Sequence, residues 1–166
     1  CSKLMLVDST SGTKQTVEFY NIVDELSKGD LLVLNDTKVI PARLFATKPS
    51  GGNVEILITE FISENEALAM LKTNHKIKLP TTLTIKDSNV TIACDSKQEN
   101  KFILKTTSNI TDIMHKYGSM PLPPYMKRTT TTEDSDRYQT VYAKNPGAIA
   151  APTAGLHFDK KLLAQL

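Results

Sequence analysis

The chain has 166 residues, enough to bury a core without staples, as one domain or as one domain carrying a small inserted one. Its 20 basic and 18 acidic side chains leave a net charge of +2, too mild to mark a nucleic-acid binder by charge alone. The two cysteines, Cys1 and Cys94, match no metal or redox spacing and fit free thiols in a cytoplasmic protein, while no apolar run approaches the roughly 18 residues that span a bilayer and no signal-peptide layout opens the chain.

In chain order, residues 4–7 read as a strand and residues 21–26 as a short helix closed by Gly29. Residues 31–34, Leu-Leu-Val-Leu, leave no face for water, so a buried strand covered on both sides is expected, as in layered α/β folds. That strand runs into Asn35-Asp-Thr-Lys38, polar groups at the carboxyl end of a buried strand, where open α/β sheets present ligand-binding side chains.

From about residue 47 to 107 the pattern changes to short β-rich runs (53–60, 82–85, 90–93 and 102–106), several alternating, separated by turn signals such as Pro49-Ser-Gly-Gly52 and Lys86-Asp-Ser-Asn89. Such a meander favours a small closed barrel, because closure removes exposed edges. Only residues 65–71 look helical within it.

Residues 108–118 then carry Ile110, Ile113, Met114 and Tyr117 on one helical face, with Gly118 as a stop that tolerates positive φ. His115 falls off that stripe and reads as a surface histidine, as does His75 among lysines. Pro121-Leu-Pro-Pro-Tyr125 is stiff and extended, suited to the wall of a site. Lys116, Lys127, Arg128, Arg137 and Lys144 gather near Tyr117, Tyr125, Tyr138 and Tyr142, a mixture that serves single-stranded or looped nucleic acid or a solvated rim. Asp159 reads as the N-cap of a last helix carrying Leu162, Leu163 and Leu166.

Gly-rich phosphate loops, His-Glu-x-x-His, Cys-x-x-Cys and Gly-x-Ser-x-Gly are all missing, which weighs against Walker-type hydrolysis, zinc chemistry and esterase chemistry. Glu133, Asp134 and Asp136 with His157 could form a metal site, but a polar loop is the simpler reading, and no metal is expected.

Five motifs in order carry a specific resemblance: Asn35-Asp-Thr-Lys-Val-Ile-Pro-Ala-Arg-Leu44, Gly51-Gly-Asn-Val-Glu55, Pro121-Leu-Pro-Pro-Tyr125, Asp136-Arg-Tyr-Gln-Thr-Val-Tyr142 and Gly147-Ala-Ile-Ala-Ala-Pro-Thr-Ala-Gly-Leu-His-Phe158. Together the chain resembles the S-adenosylmethionine:tRNA ribosyltransferase-isomerase family of queuosine biosynthesis. Members are longer, so the chain is expected to match their front portion, without the extreme amino terminus or the carboxyl-terminal part of the α/β domain. The resemblance implies a layered α/β domain interrupted by an inserted antiparallel β-barrel, divided as 1–47 and 118–166 for the α/β domain and 48–117 for the barrel.

It also implies an enzyme, a transferase and isomerase, that moves the ribosyl portion of S-adenosylmethionine onto a 7-aminomethyl-7-deazaguanine at the tRNA wobble position. The product is epoxyqueuosine, with adenine and methionine released. S-adenosylmethionine is a cosubstrate, and no separate cofactor is implied; the partners are the tRNA and S-adenosylmethionine, with no membrane and a monomeric chain expected. The chemistry needs a base, a donor to adenine and a place for positive charge. Asp36 and Glu55 are candidates for base and charge partner, with an Asx-type turn as the competing role of Asp36 and an outward-facing position that of Glu55. For His157, apolar neighbours would hold the ring neutral and able to pass a proton, the alternative being a core histidine satisfied by backbone. Thr153 supplies a hydroxyl and Gly155 a close backbone approach, with Asn35 and Thr37 beside Asp36. Arg43, Arg128, Arg137, Tyr125, Tyr138 and Tyr142 are the candidates for phosphates and stacked bases, and Gln139 for reading a base edge. A non-catalytic RNA-binding barrel module is the rival reading.

Overall fold

The computed structural model describes residues 2–121 and 138–166. Alternation organises its middle. In β5 (Asn53–Phe61), Val54, Ile56 and Ile58 are buried while the residues between them face outward, so the strand packs one face and wets the other. It is joined by β4 (Arg43–Thr47), β6 (Glu66–Lys72), β7 (Thr81–Ile85), β8 (Thr91–Gln98) and β9 (Lys101–Lys105) in a closed antiparallel barrel of order β4-β5-β6-β9-β8-β7. Closure gives every strand two partners, which is how runs this short are held. Leu44, Ile56, Leu83, Ile85, Ile92 and Leu104 fill the interior, each contributing about 1.5–3 kcal/mol by burial. Cys94 lies among them as a free thiol; burial, then the charge of Asp95, pushes its pKa up to about 11, so it stays protonated.

The mixed fold with its barrel is as the sequence led one to expect, and the barrel takes its first strand from residues 43–47, ahead of the boundary at 48. One segment inside it differs. Residues 65–71, expected as a helix, fall in β6 from Glu66 onward, although its Glu-Ala-Leu-Ala-Met-Leu-Lys is made of good helix formers. Hydrogen-bond ladders to β5 on one side and β9 on the other outweigh that local preference, and the small Ala67 and Ala69 fit the packed interior.

Helix α1 (Ile110–Tyr117) follows as its periodicity predicts: the Asn109 side chain accepts from the Thr111 N–H at 2.8 Å, and Ile110, Ile113 and Met114 pack into the barrel core. Its stop works differently from the expectation. Gly118 has φ −80°, so positive φ is not what the position requires. A Cβ there would collide with the carbonyl oxygens of Pro41 and Met114, and close approach of backbone explains the glycine.

Around the barrel, β1 (Lys3–Val7) and β2 (Lys14–Glu18) form an antiparallel hairpin with a Lys3–Glu18 ion pair. The helix expected at 21–26 is a 3-10 helix, Phe19–Glu25, and Gly29 turns with φ +107° four residues beyond its end. Short strands β3 (Thr37–Val39) and β10 (Asn145–Ala148) pair in parallel. A second helix, α2 (Lys160–Leu163), is capped by Asp159, whose side chain accepts from the Leu162 N–H at 2.7 Å, and Leu162 packs with Phe19 and Phe158.

The buried strand expected at 31–34 is absent. That run is irregular and open to solvent, with Leu31 86% and Val33 80% exposed. An all-apolar strand needs cover on both faces, and the described residues supply neither a pairing strand nor a covering layer there. Among the described residues, no helix is long and apolar enough to cross a membrane.

Candidate functional site

The polar turn after residues 31–34 is tied to the other end of the chain. Asn35 makes the Asx turn, its side chain accepting from the Thr37 N–H at 2.9 Å. Asp36 is thereby left for a longer reach: its carboxylate accepts from the Asn145 amide at 2.8 Å, and its backbone carbonyl accepts from the Lys144 and Asn145 N–H groups at 2.7 and 3.2 Å. Thr37 opens β3 opposite Asn145 in β10. Val39, the last residue of β3, then packs with Met120, Tyr138, Ala151 and Leu156. So the 35–37 turn and the 153–157 segment belong to one unit, linked through Val39.

Residues Thr153–His157 form a 3-10 helix with Thr153 exposed and Gly155 buried. At Gly155 the close neighbours are the Tyr142 hydroxyl and the Thr140 methyl, which occupy the space a Cβ would need. Tyr142 is half-buried against Phe19 and Phe158, and burial raises its phenol pKa. His157 corrects the reading of its surroundings. Its sequence neighbours Leu156 and Phe158 turn inward, but the ring itself is exposed, with Nδ1 2.8 Å from the Ser2 hydroxyl and its face tilted on Phe19 at 5.1 Å.

Several of the residues expected to meet RNA are occupied internally. Arg43 and Glu55 form an ion pair across β4 and β5, 3.0 Å apart on the outer face of the barrel, so each has the other as a partner. Tyr138 is buried in the Val39 cluster, which removes its ring as an exposed stacking face. Gln139 clasps Val39 at both ends of its amide, Oε1 accepting from the N–H at 2.9 Å and Nε2 donating to the carbonyl at 2.7 Å. Gln139→Leu would strand both of those backbone groups, so a loss of about 2 kcal/mol is expected in chemical denaturation; an unchanged midpoint would show the clasp to be dispensable. Tyr125, Arg128 and Arg137 lie outside the described residues, as do Glu133, Asp134 and Asp136 of the considered metal site. Among the described residues, no cluster of three or more His, Cys, Asp or Glu side chains gathers.

Beside this unit the structure opens a cleft of about 860 Å³ between α1, the rim of β5 and the β3–β10 pair. Val39, Met114 and Met120 contribute an apolar floor, while Lys38, Lys144, His115 and Phe61 stand at its walls. The sequence held weak signals for it: Lys38 lies inside the Asn35–Leu44 motif and Lys144 in the basic cluster. Phe61 and His115 carry no spacing that ties them to either.

Fold and site therefore define a mixed α/β protein in which a closed barrel and a parallel strand pair bound a cationic cleft. Comparison with known proteins narrows this. A family model described as "Queuosine biosynthesis protein" matches residues 1–166, and the chain belongs to that family. The chain is 47% identical over 151 residues to an S-adenosylmethionine:tRNA ribosyltransferase-isomerase of Vesicomyosocius okutanii, covering 90% of this chain and 44% of that protein. Proteins of the same description from Buchnera aphidicola (43% identity, 99% of this chain, 47% of that one) and Fusobacterium nucleatum (46%, 99%, 48%) are similar. The chain thus spans about half the length of these curated relatives. A crystal structure of S-adenosylmethionine tRNA ribosyltransferase from Thermotoga maritima aligns with 99% of this chain and 46% of its own, at 26% identity and a TM-score of 0.42.

Proposed function

We propose that a protein containing this chain moves the ribosyl portion of S-adenosylmethionine onto the aminomethyl group of a 7-deazaguanine at the tRNA wobble position and isomerises it to epoxyqueuosine, releasing adenine and methionine. The single observation that carries the reading is family membership over the whole chain, together with relatives of that description at 43–47% identity. S-adenosylmethionine is consumed as cosubstrate, and the reading needs no separate cofactor.

The reaction removes a proton beside sulfur and expels adenine, so it asks for an acceptor, a donor and a counter-charge. Asp36 suits the counter-charge to a sulfonium, since its carboxylate is fixed by Asn145 and so is positioned in advance of binding. His157 suits the proton transfer to adenine, because Ser2 at Nδ1 and Phe19 at the ring face set its orientation. Thr153, exposed at the start of the same 3-10 helix, offers a hydroxyl to the ribose. Arg128, Arg137 and Tyr125 remain candidates for the tRNA.

The test is direct. Full-length protein carrying this sequence, given S-adenosylmethionine and a tRNA bearing the deazaguanine precursor, should release free adenine in proportion to modified tRNA. Adenine release that ignores the tRNA, or none with both substrates present, would overturn the reading; RNA binding without a saturable S-adenosylmethionine site would favour the non-catalytic module.

A further inference from the structure

The cleft between α1 and the β3–β10 pair differs in charge from what S-adenosylmethionine needs. Lys38 and Lys144 both line it: Lys38 lies opposite Pro146 in the parallel pair, and Lys144 stands just ahead of β10, with Pro146 lining the cleft beside them. His115 stands on the facing wall, on the exposed side of α1. Among the described residues, the lining holds no carboxylate. A sulfonium entering such a site would meet cations and no counter-charge, whereas a phosphate would meet at least two. The remaining wall suits a base. Phe61, at the end of β5, keeps 42% of its surface exposed at the rim, unlike the barrel-interior residues, and the floor of Val39, Met114 and Met120 accepts a flat apolar face. Thr111 adds a hydroxyl that can donate or accept at a base edge, and the Ser119 hydroxyl, which donates to the Arg43 carbonyl at 3.3 Å, can accept there.

We propose that this cleft takes a single-stranded nucleotide stretch of the RNA substrate, its phosphate held by Lys38 and Lys144 and a base laid against Phe61, while S-adenosylmethionine binds outside it. The assignment rests on the proposed tRNA-modifying activity and divides the site between its two substrates. Lys38, Lys144 and Phe61 are all exposed, so replacing them leaves the core intact and the readout is binding rather than folding.

The experiment is a fluorescence-anisotropy titration of a labelled single-stranded RNA of about eight nucleotides, with parallel calorimetry of S-adenosylmethionine on the same protein. The double variant Lys38→Gln/Lys144→Gln should weaken RNA binding at least about 10-fold and flatten its salt slope by about 0.7, the change for one lost phosphate contact on a single strand. Phe61→Ala should weaken it about 5-fold or more without changing the salt slope, as loss of one stacked base does. Lys86→Gln, on a barrel turn away from the cleft, should change neither. S-adenosylmethionine affinity should be the same in all four proteins. Unchanged RNA affinity in the double variant, no measurable RNA binding by the unmodified protein, or mole-for-mole displacement of the RNA by S-adenosylmethionine or by a mononucleotide would overturn the assignment. The two readings fail separately: adenine release that persists while the variants keep full RNA affinity sinks the cleft alone, whereas cleft-dependent RNA binding without adenine release sinks the proposed activity alone.

Discussion

Replacing Gly118 by alanine is expected to lower the thermal midpoint by about 10 °C, the equivalent of about 3 kcal/mol in a chain of this size. A Cβ at that position would lie well under 3.0 Å from two backbone oxygens, those of Pro41 and Met114. Side chains could rotate away; carbonyls cannot. The backbone there is also pinned from both directions. The Gly118 N–H donates to the Met114 carbonyl at 2.8 Å, closing α1, and the next residue pairs with β4, the Ser119 N–H donating to Arg43 at 2.8 Å and the Arg43 N–H to Ser119 at 3.2 Å. To admit one methyl group, either the helix end or the 40–42 segment must move, and each move costs a hydrogen bond or barrel packing. Gly12 provides the control. It has φ +71°, but a Cβ there would meet nothing within 4 Å, so Gly12→Ala carries only the conformational cost, about 1 kcal/mol. A Gly118→Ala protein that melts within about 2 °C of the unmodified one would show that the helix end gives freely.

The same glycine shows where reading residues in order succeeds and where it stops. A stop signal after Tyr117 was legible, and the helix ends there; the reason was not, because Pro41 is distant in sequence and only packing brings its carbonyl close. The barrel was legible for a physical cause: a strand with one packed face writes its alternation into every second residue, as Val54, Ile56 and Ile58 do. At Glu66–Lys72 the residues favour a helix and the ladders on both sides decide otherwise, a long-range effect with no local trace. Residues 31–34 make the opposite point, since apolar composition predicts burial only where another layer exists to supply it. His157 was read through its neighbours in sequence, but in a 3-10 helix consecutive side chains point about a third of a turn apart, so an apolar Leu156 and Phe158 leave the ring between them in solvent. The cleft was the least legible feature. Its walls come from residues 38, 61, 115 and 144, which no motif spacing joins.

In a full-length protein with the proposed activity, His157→Ala is expected to lower the turnover for adenine release by roughly 100-fold or more, the usual loss when a general acid or base is removed. Exposure does not weaken the case, because a ring that must hand a proton to a leaving group has to reach it. What matters is that the ring is already oriented. If the Ser2 hydroxyl donates to Nδ1, the proton of a neutral ring sits on Nε2, the nitrogen turned away from Ser2 and able to donate to departing adenine. Phe19 holds the ring plane from the side, tilted at 52°. Ser2→Ala then separates positioning from chemistry: the ring keeps its packing on Phe19 but loses its hold on the tautomer, so turnover should fall between that of the unmodified and His157→Ala proteins, with little change in KM. Melting curves check that both variants fold, as changes at an exposed ring and at a half-buried residue just ahead of β1 should allow. Unmodified turnover in a folded His157→Ala protein would leave the histidine as a packing partner of Phe19, and the proton transfer would have to be sought at Asp36 or Thr153.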